Sequence, residues 1–479
     1  MMRRYLAESM PTRTLLVISL MAAIGVASGL ERNLASVGLP DLPTTPRGRP
    51  DILLVTIDAL RADHLSSYGY DRVTSTAIDD FARHAVRFDN AIAQAPYTKA
   101  SVASIMTGLY SSSHKTVTAS VPFPETMTGH PKTAPIVTDI LPAAVTTLAE
   151  GLHQVGYRTL GYTANPFLSE AFGFAQGFDL FRFYPGPDFA GAERLVADAL
   201  DAVHHARPAV PLFVWVHLME PHSPYTPPPW TAGRFETTMG APQPIPDRIP
   251  IPGWLLPGSP RDRRLYVAAY DDEIAAADAA FGTLLRGFRD GRWGRAQAIV
   301  VTADHGEQFL DHGGWEHGSN LNDELIRVPL VIKAPTLKPG IIHAQVQLVD
   351  ILPTLLEFAG GSVPPIAGHS LLDMARGAAS TSSPALSEIV GSQYALRDRG
   401  LKLIDFDDGR VELFDLGRDP FENHDIASGN PAEVHRMRGV LNRMLQQALQ
   451  MGRTIRSERF PVDPMLIERL RSLGYVPQH

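Results

Sequence analysis

No cysteine occurs in the 479 residues, which excludes disulfides, zinc–thiolate sites, iron–sulfur clusters, a cysteine nucleophile and lipid attachment at an N-terminal cysteine. That absence leaves the compartment open, because a chain of this length buries enough core to do without cross-links. No run of lysine or arginine stands out either, and the formal net charge is −8, so the electrostatic footprint of a nucleic-acid partner is missing. Long apolar runs are scarce. The stretch LLVISLMAAIGVASGL at 15 to 30 sits at the short limit for a bilayer span, and Arg3, Arg4 and Arg13 precede it. With small residues at Val26 and Ser28, it reads as an export leader cleaved after Ser28 or retained as a membrane anchor. The expectation is a periplasmic, extracellular or membrane-anchored protein, with SVGLPDLPTTPRGRP as the linker that follows.

What is present is an α/β pattern. DILLVTI (51 to 57), RTLGYTA (158 to 164), LFVWVHL (212 to 218), QAIVVTA (297 to 303) and VPLVIKA (328 to 334) are apolar runs rich in β-branched residues, as expected of strands covered on both faces. Helical stretches at 146 to 156 and 263 to 288 lie between them. The alternation predicts a mixed, mostly parallel central sheet sandwiched by helices. A Ser/Thr/Ala/Gly/Pro-rich segment at 375 to 385 then separates short strands and a helix from about 431 to 450, a small C-terminal α+β subdomain. The expected division is a leader and linker over 1–50, a main domain over 51–374, and the subdomain with its tail over 386–479.

In such sheets ligands gather beyond the carboxyl ends of the strands. Asp58 follows the first strand, HLMEPHSPYTPPP (217 to 229) ends the third, and Asp304-His305 ends the fourth, with Gly306 allowing a sharp turn. Carboxylate and imidazole donors suit a divalent cation. The plainer readings are that Asp304 caps a following helix and that His217 is a core histidine. His222, in a proline-stiffened loop, is the better ligand or substrate donor, and DHGGWEHGSN (311 to 320) offers His312 and His317 in a glycine-bracketed loop. APYTKASVASIMTG (95 to 108) predicts a short amphipathic helix with Val102, Ile105 and Met106 on one face, ending near Gly108. Thr98 at its start is either an ordinary N-cap or a hydroxyl facing an anion. Lys99 reads as a solvated side chain.

Seven segments in order resemble the sulfatase branch of the alkaline-phosphatase-like superfamily: VTIDALRADHLSSYGY, YTKASVASIMTGLYSSSH, TLAEGLHQVGYRTLGYTANPFLSEAFGFAQGFDLF, VHLMEPHSPYTPP, TADHGEQFLDHGGWEHGSNLNDELIRVPLVI, VQLVDILPTLLEFAGG and VELFDLGRDPFENHDIA, with LIERLRSLGYV near the C-terminus. The resemblance implies that Thr98 is a nucleophile and metal ligand. It also implies that Asp58, Asp304 and His305 complete the metal site, and that His222 and His317 hold sulfate or phosphate oxygens.

The departures from that family bear on the chemistry. Where it has Cys or Ser in a Cys/Ser-x-Pro-x-Arg sequence, converted to formylglycine, this chain has Thr98-Lys99-Ala100-Ser101-Val102, and the second carboxylate of the family is Ala59. Formylglycine is therefore not expected. The set resembles the threonine-nucleophile branch, which includes phosphoethanolamine and phosphoglycerol transferases and phosphonate ester hydrolases, and implies one divalent metal, Mn or Zn ahead of Ca or Mg. The expected activity is hydrolysis or transfer of a phosphate or sulfate ester through a covalent Thr98 intermediate, leaning to phosphoryl transfer. The alternatives are a sulfatase working without formylglycine and a non-catalytic anion-binding protein. The expected partner is an anionic ester of a glycan, lipid headgroup or small molecule.

Overall fold

Residues 51 to 57 form an interior strand in which every residue is buried, as a run apolar on both faces requires. The computed structural model describes residues 48–118, 137–184, 191–292, 294–378 and 382–462. Eight strands make the main sheet: β1 (Asp51–Ile57), β2 (Val86–Ile92), β3 (Arg158–Thr163), β4 (Leu180–Phe183), β5 (Leu212–Leu218), β6 (Gln297–Ala303), β7 (Arg327–Lys333) and β8 (Gly340–Gln347). Their spatial order is β8-β2-β7-β6-β1-β5-β3-β4, and all run parallel except β7, which opposes both β6 and β2. The expected mixed, mostly parallel sheet is therefore present. Three of its strands escape the sequence pattern. β2 carries Arg87, Asp89 and Asn90 on its half-buried side, β8 is an edge strand exposed over its first half, and β4 is four residues long.

Helices flank the sheet in two groups. Helices α1 (Thr76–Arg83), α4 (Ala192–His205) and α5 (Arg263–Gly291) pack on one another, as do α2 (Thr98–Thr107), α3 (Leu148–Gln154) and α6 (Ile351–Phe358). Helix α3 begins in a capping box between Thr147 and Glu150. Helix α2 ends as expected at Gly108, with φ 67°, but it is not amphipathic: all ten of its residues are buried. Tyr97 is its N-cap, so Thr98 opens the helix without capping it.

A four-stranded antiparallel sheet follows, β9 (Ala385–Ile389), β10 (Gln393–Asp398), β11 (Leu401–Phe406) and β12 (Val411–Asp415), covered by α7 (Pro431–Met451). Leu386, Leu396, Leu403 and Leu413 of the sheet share a core with Val434, Met437 and Leu441 of the helix. The leader at 15–30 and the LIERLRSLGYV segment lie outside the described residues. Among the described residues no helix is long and apolar enough to cross a membrane.

A buried ionic cluster ties this small sheet to the loop that follows β6. Lys402 Nζ, fully buried on β11, lies 2.6 Å from Glu422 Oε1 and 2.9 Å from Asp323 Oδ1. His312 Nδ1 is 2.7 Å from Glu324 Oε1, and His312 Nε2 donates to the Glu422 carbonyl at 3.3 Å. His312, Glu324 and Glu422 are spaced to hold a cation, but the Lys402 ammonium already sits against Glu422. Burial alone would lower the His312 pKa, yet Glu324 and Glu422 raise it from 6.5 to about 9. Its stabilising contribution is therefore complete below pH 6.5 and is lost as pH rises through 9, amounting to about 2 kcal/mol after allowance for solvent screening. Urea unfolding of the native chain and His312→Gln checks this: the gap between their midpoints at pH 6 should close by pH 10, and a gap that persisted would mean packing, not charge.

Candidate active site

The site forms beyond the carboxyl ends of adjacent parallel strands. Ile57 pairs with Ala303 across β1 and β6, so the next residues, Asp58 and Asp304, stand side by side. Thr56 pairs with His217 on the other flank of β1, and Asn165 lies just past the end of β3. Helix α2 points its first residue at the same place: Thr98 Oγ1 is 3.2 Å from His305 Nε2. Asp58, Thr98, Asp304 and His305 are all buried.

His305 Nδ1 donates to the Gly306 carbonyl at 2.8 Å, which leaves Nε2 with its lone pair free to accept a proton or ligate. Asp58 Oδ1 and Asp304 Oδ2 each lie 3.6 Å from that nitrogen, and both oxygens are buried without a hydrogen-bond partner. Gly306 makes the arrangement possible, since a Cβ there would fall 1.9 Å from the Glu324 carbonyl. Burial and the adjacent Asp58 charge hold Asp304 well above the usual carboxylate range. Asp58 is also pushed up by burial, but the His222, His217 and His305 imidazoles overcome that and hold it below its ordinary value. Two buried carboxylates with orphaned oxygens and one hydroxyl thus surround the His305 Nε2 nitrogen, and Asp58, Asp304 and His217 have ligand atoms spaced to hold an ion. This donor set fits a divalent cation, whose charge lets both carboxylates ionise.

The residues expected to contact an anion lie beside His305. The His317 ring lies 4.3 Å from that of His305 and 4.9 Å from that of His222, centroid to centroid. His317 Nδ1 is 3.2 Å from Glu307 Oε1. Burial lowers the His317 pKa, but Glu307 outweighs it and the net shift is upward. Burial keeps His222 and His305 below the ordinary histidine range. A short hairpin, Gln308–Phe309 with Trp315–Glu316, carries His317, and Glu316 Oε1 accepts from Ser223 Oγ and from Trp254 Nε1 at 3.0 Å each. No helix follows Asp304, so the reading of that residue as a helix cap does not hold.

Sequence reasoning passed over Thr56, Trp215, Asn165 and Glu307 and read His217 only as a core histidine. Trp215 Nε1 donates to Thr56 Oγ1 at 3.0 Å, and Thr56 Oγ1 lies 2.8 Å from His217 Nδ1. With the Thr56 hydroxyl donating to Nδ1, the neutral ring carries its proton on Nε2, which donates to Asp58 Oδ2 at 3.1 Å. His217 is thus no inert core histidine: it orients a site carboxylate. Asn165 Nδ2 donates to the same Oδ2 at 2.7 Å, which turns Oδ1 inward, and Glu307 supports His317. For His217 and Asn165 the pattern carries no signal, because each meets Asp58 from more than a hundred residues away, and Glu307, ten residues before His317, sits in a loop with no periodicity to mark it.

Residues 50–361 match the family described as Sulfatase, and 311–450 match N-sulphoglucosamine sulphohydrolase, C-terminal. The chain belongs to the sulfatase family. Arylsulfatase K of Xenopus laevis is 34% identical over 197 residues, 37% of this chain and 36% of that protein. The chain thus spans about a third of the length of the arylsulfatase K relatives it matches. Delta 4,5-hexuronate-2-O-sulfatase of Bacteroides thetaiotaomicron is 23% identical over 420 residues, 79% of this chain and 85% of that one. Among solved structures, a 2-O GAG sulfatase superposes with a TM-score of 0.66 at 20% identity, covering 87% of this chain and 96% of the other. The phosphonate monoester hydrolase of Agrobacterium radiobacter does so with 0.66 at 20%, covering 84% and 96%. These two likenesses establish the fold.

In this sulfatase-family chain Lys99, expected in solvent, is 2% exposed. Its ammonium lies 2.6 Å from Asp139 Oδ1 and donates to Thr138 Oγ1 at 2.9 Å, with the rings of Phe167 and Phe172 at 5.7 and 5.5 Å. Helix α2 has no exposed face at its first turn, so the lysine must carry its counterion inside. Lys99→Ala would leave Asp139 buried without its cation and should cost about 3 kcal/mol, read as a fall in the urea midpoint. A shift under about 1 kcal/mol would mean that the amides of Val117 and Thr118, which also donate to Asp139, suffice.

Proposed function

We propose that the chain cleaves a phosphoric or phosphonic ester, with Thr98 as the nucleophile. The observation that carries this reading is the placement of Thr98 Oγ1 at 3.2 Å from His305 Nε2, beside the unpartnered oxygens of Asp58 and Asp304. Asp58, Asp304, His305 and Thr98 would hold a divalent cation, Mn or Zn by its donors, whose positive charge would favour ionisation of the hydroxyl. Thr98 Oγ1 bonds to phosphorus as the bond to the leaving oxygen breaks, and the hydroxyl proton ends on the released alcohol. Water or an acceptor alcohol then cleaves the Thr98 ester. His222 and His317 hold the non-bridging oxygens where charge develops. The Arg-flanked apolar run at 15–30 supports action outside the cytoplasm.

Phosphorus is favoured over sulfur by the nucleophile. A formylglycine hydrate carries a second hydroxyl whose deprotonation can expel sulfate, whereas Thr98 carries a methyl in its place, so its ester must be broken at the central atom. The second reading, a sulfuric ester, is supported by the names of the relatives. Matched nitrophenyl sulfate, phosphate monoester, phosphodiester and phosphonate monoester separate the two. Turnover should fall by about three orders of magnitude or more in Thr98→Ala while Thr98→Ser retains much of it. Stripping metal by chelation should abolish turnover and Mn or Zn should restore it. Full activity in Thr98→Ala would overturn the nucleophile, and preference for the sulfate would overturn the phosphoryl reading.

A further inference from the structure

A second histidine–carboxylate pair lies outside the catalytic centre and plays no part in the chemistry proposed at Thr98. His64, 6% exposed, is the last residue of the short turn Ala62–His64, and its Nδ1 is 2.8 Å from Oδ1 of the fully buried Asp271. Oδ2 of Asp271 accepts from the Tyr70 hydroxyl at 2.8 Å and from Arg72 Nη1 at 2.7 Å. The Arg72 charge keeps that carboxylate ionised and able only to accept, so His64 Nδ1 donates to it and the lone pair of the neutral ring is on Nε2. Among the described residues Nε2 has no hydrogen-bond partner, yet it is not sealed from solvent. His64 lines a cavity of about 630 Å³ whose described walls include none of Asp58, Thr98, His222, Asp304, His305 and His317.

Arg327, the first residue of β7, lines the same cavity, and β7 packs against the Ala62–His64 turn. Its Nε and Nη2 donate to the Asp89 carbonyl at 3.2 and 3.1 Å. Among the described residues its Nη1 has no hydrogen-bond partner and the guanidinium forms no ion pair. The acids of the wall are already matched. Asp63 lies 2.8 Å from Arg61, Asp311 lies 3.0 Å from Arg61 and 2.7 Å from Arg263, and the others belong to the cluster of Lys402 and His312. A cation without a counterion and an imidazole lone pair without a donor are thus left on two elements that pack together.

We infer that this cavity binds hydrogen phosphate, its anionic oxygens accepting from Arg327 Nη1 and its P–OH group donating to His64 Nε2. The inference does not depend on cleavage at Thr98. Hydrogen phosphate is the counterion that Arg327 lacks and carries the proton that Nε2 can accept. Sulfate has the same charge and shape at pH 8 but no proton, so its oxygen would face the Nε2 lone pair, acceptor against acceptor. Water satisfies the lone pair and leaves the guanidinium without a countercharge. The volume leaves room for part of the anion's hydration shell.

Titration of the native chain at pH 8 with inorganic phosphate and with sulfate, followed by NMR of nitrogen-labelled histidine rings, tests the site without requiring turnover. The His64 signal, identified by its loss in His64→Gln, should shift saturably with phosphate at a concentration about tenfold or more below that needed for sulfate. Arg327→Gln should weaken the phosphate response about tenfold or more. The Arg327 side chain is half-buried and hydrogen-bonded to one carbonyl alone, so its replacement leaves the fold intact, and unchanged His222, His305 and His317 signals before titration verify that. Thr98→Ala should leave the His64 response as it is. An equal response to sulfate, no shift of His64, or a phosphate response that survives Arg327→Gln would overturn the inference. So would a His64 response that disappears in Thr98→Ala, which would place the phosphate at the catalytic centre.

Discussion

Asp58 and Asp304 stand next to each other at the ends of adjacent parallel strands, both fully buried, and two such carboxylates cannot both be charged without a cation between them. Much of the surrounding structure is arranged around that constraint. His217 and Asn165 occupy one oxygen of Asp58, and the amides of Ala59 and His305 occupy one oxygen of Asp304, at 3.2 and 2.9 Å. Each carboxylate is left with one free oxygen on the His305 side. The backbone bends to permit this: Ala59 takes a left-handed conformation, φ 55°, directly after Asp58, with Tyr270 donating to its carbonyl.

The same reasoning accounts for the burial of helix α2. Ser101 on its second turn donates to the Asp304 carbonyl at 2.5 Å, which fixes the helix start against the carboxylate and sets the direction of Thr98. Tethering the helix this closely leaves no face for solvent, and Lys99 and Asp139 neutralise each other as a consequence. The polar side of the site is built differently. His222 and His317 come from loops joined through Glu316, Ser223 and Trp254, so they are held by cross-links between loops where Asp58 and Asp304 are held by strand ends.

Long apolar runs were enough to read the fold class and five of the eight main strands, since a strand covered on both faces leaves a compositional trace. Strands β2 and β8 left none, being half-exposed or carrying charge, and only pairing with neighbours defines them. Of the site, residues next to a strand end or a glycine turn were legible: Asp58, Asp304, His305, His222 and His317. Thr98 was ambiguous from local pattern and took its meaning from resemblance to a family. Lys99 was misread because a helix start is exposed by default, and nothing within a few residues reveals that Phe167, Phe172 and Asp139 close over it.

By itself, then, the sequence determined the donor types. It rules out thiolate chemistry and formylglycine derived from cysteine, and it supplies two carboxylates, one hydroxyl and several imidazoles for any reaction. Tertiary structure decided which of those groups meet, because the register of β1 against β5 and β6 is a property of pairing between segments more than 150 residues apart. It decided too that His217 lies against Asp58, within reach of the same site, and that a cavity lined in part by Glu220, Glu273 and Trp230 lies beside His222. Local pattern records what a residue can do. Proximity across the fold, which sets its charge and its partners, selects what it does.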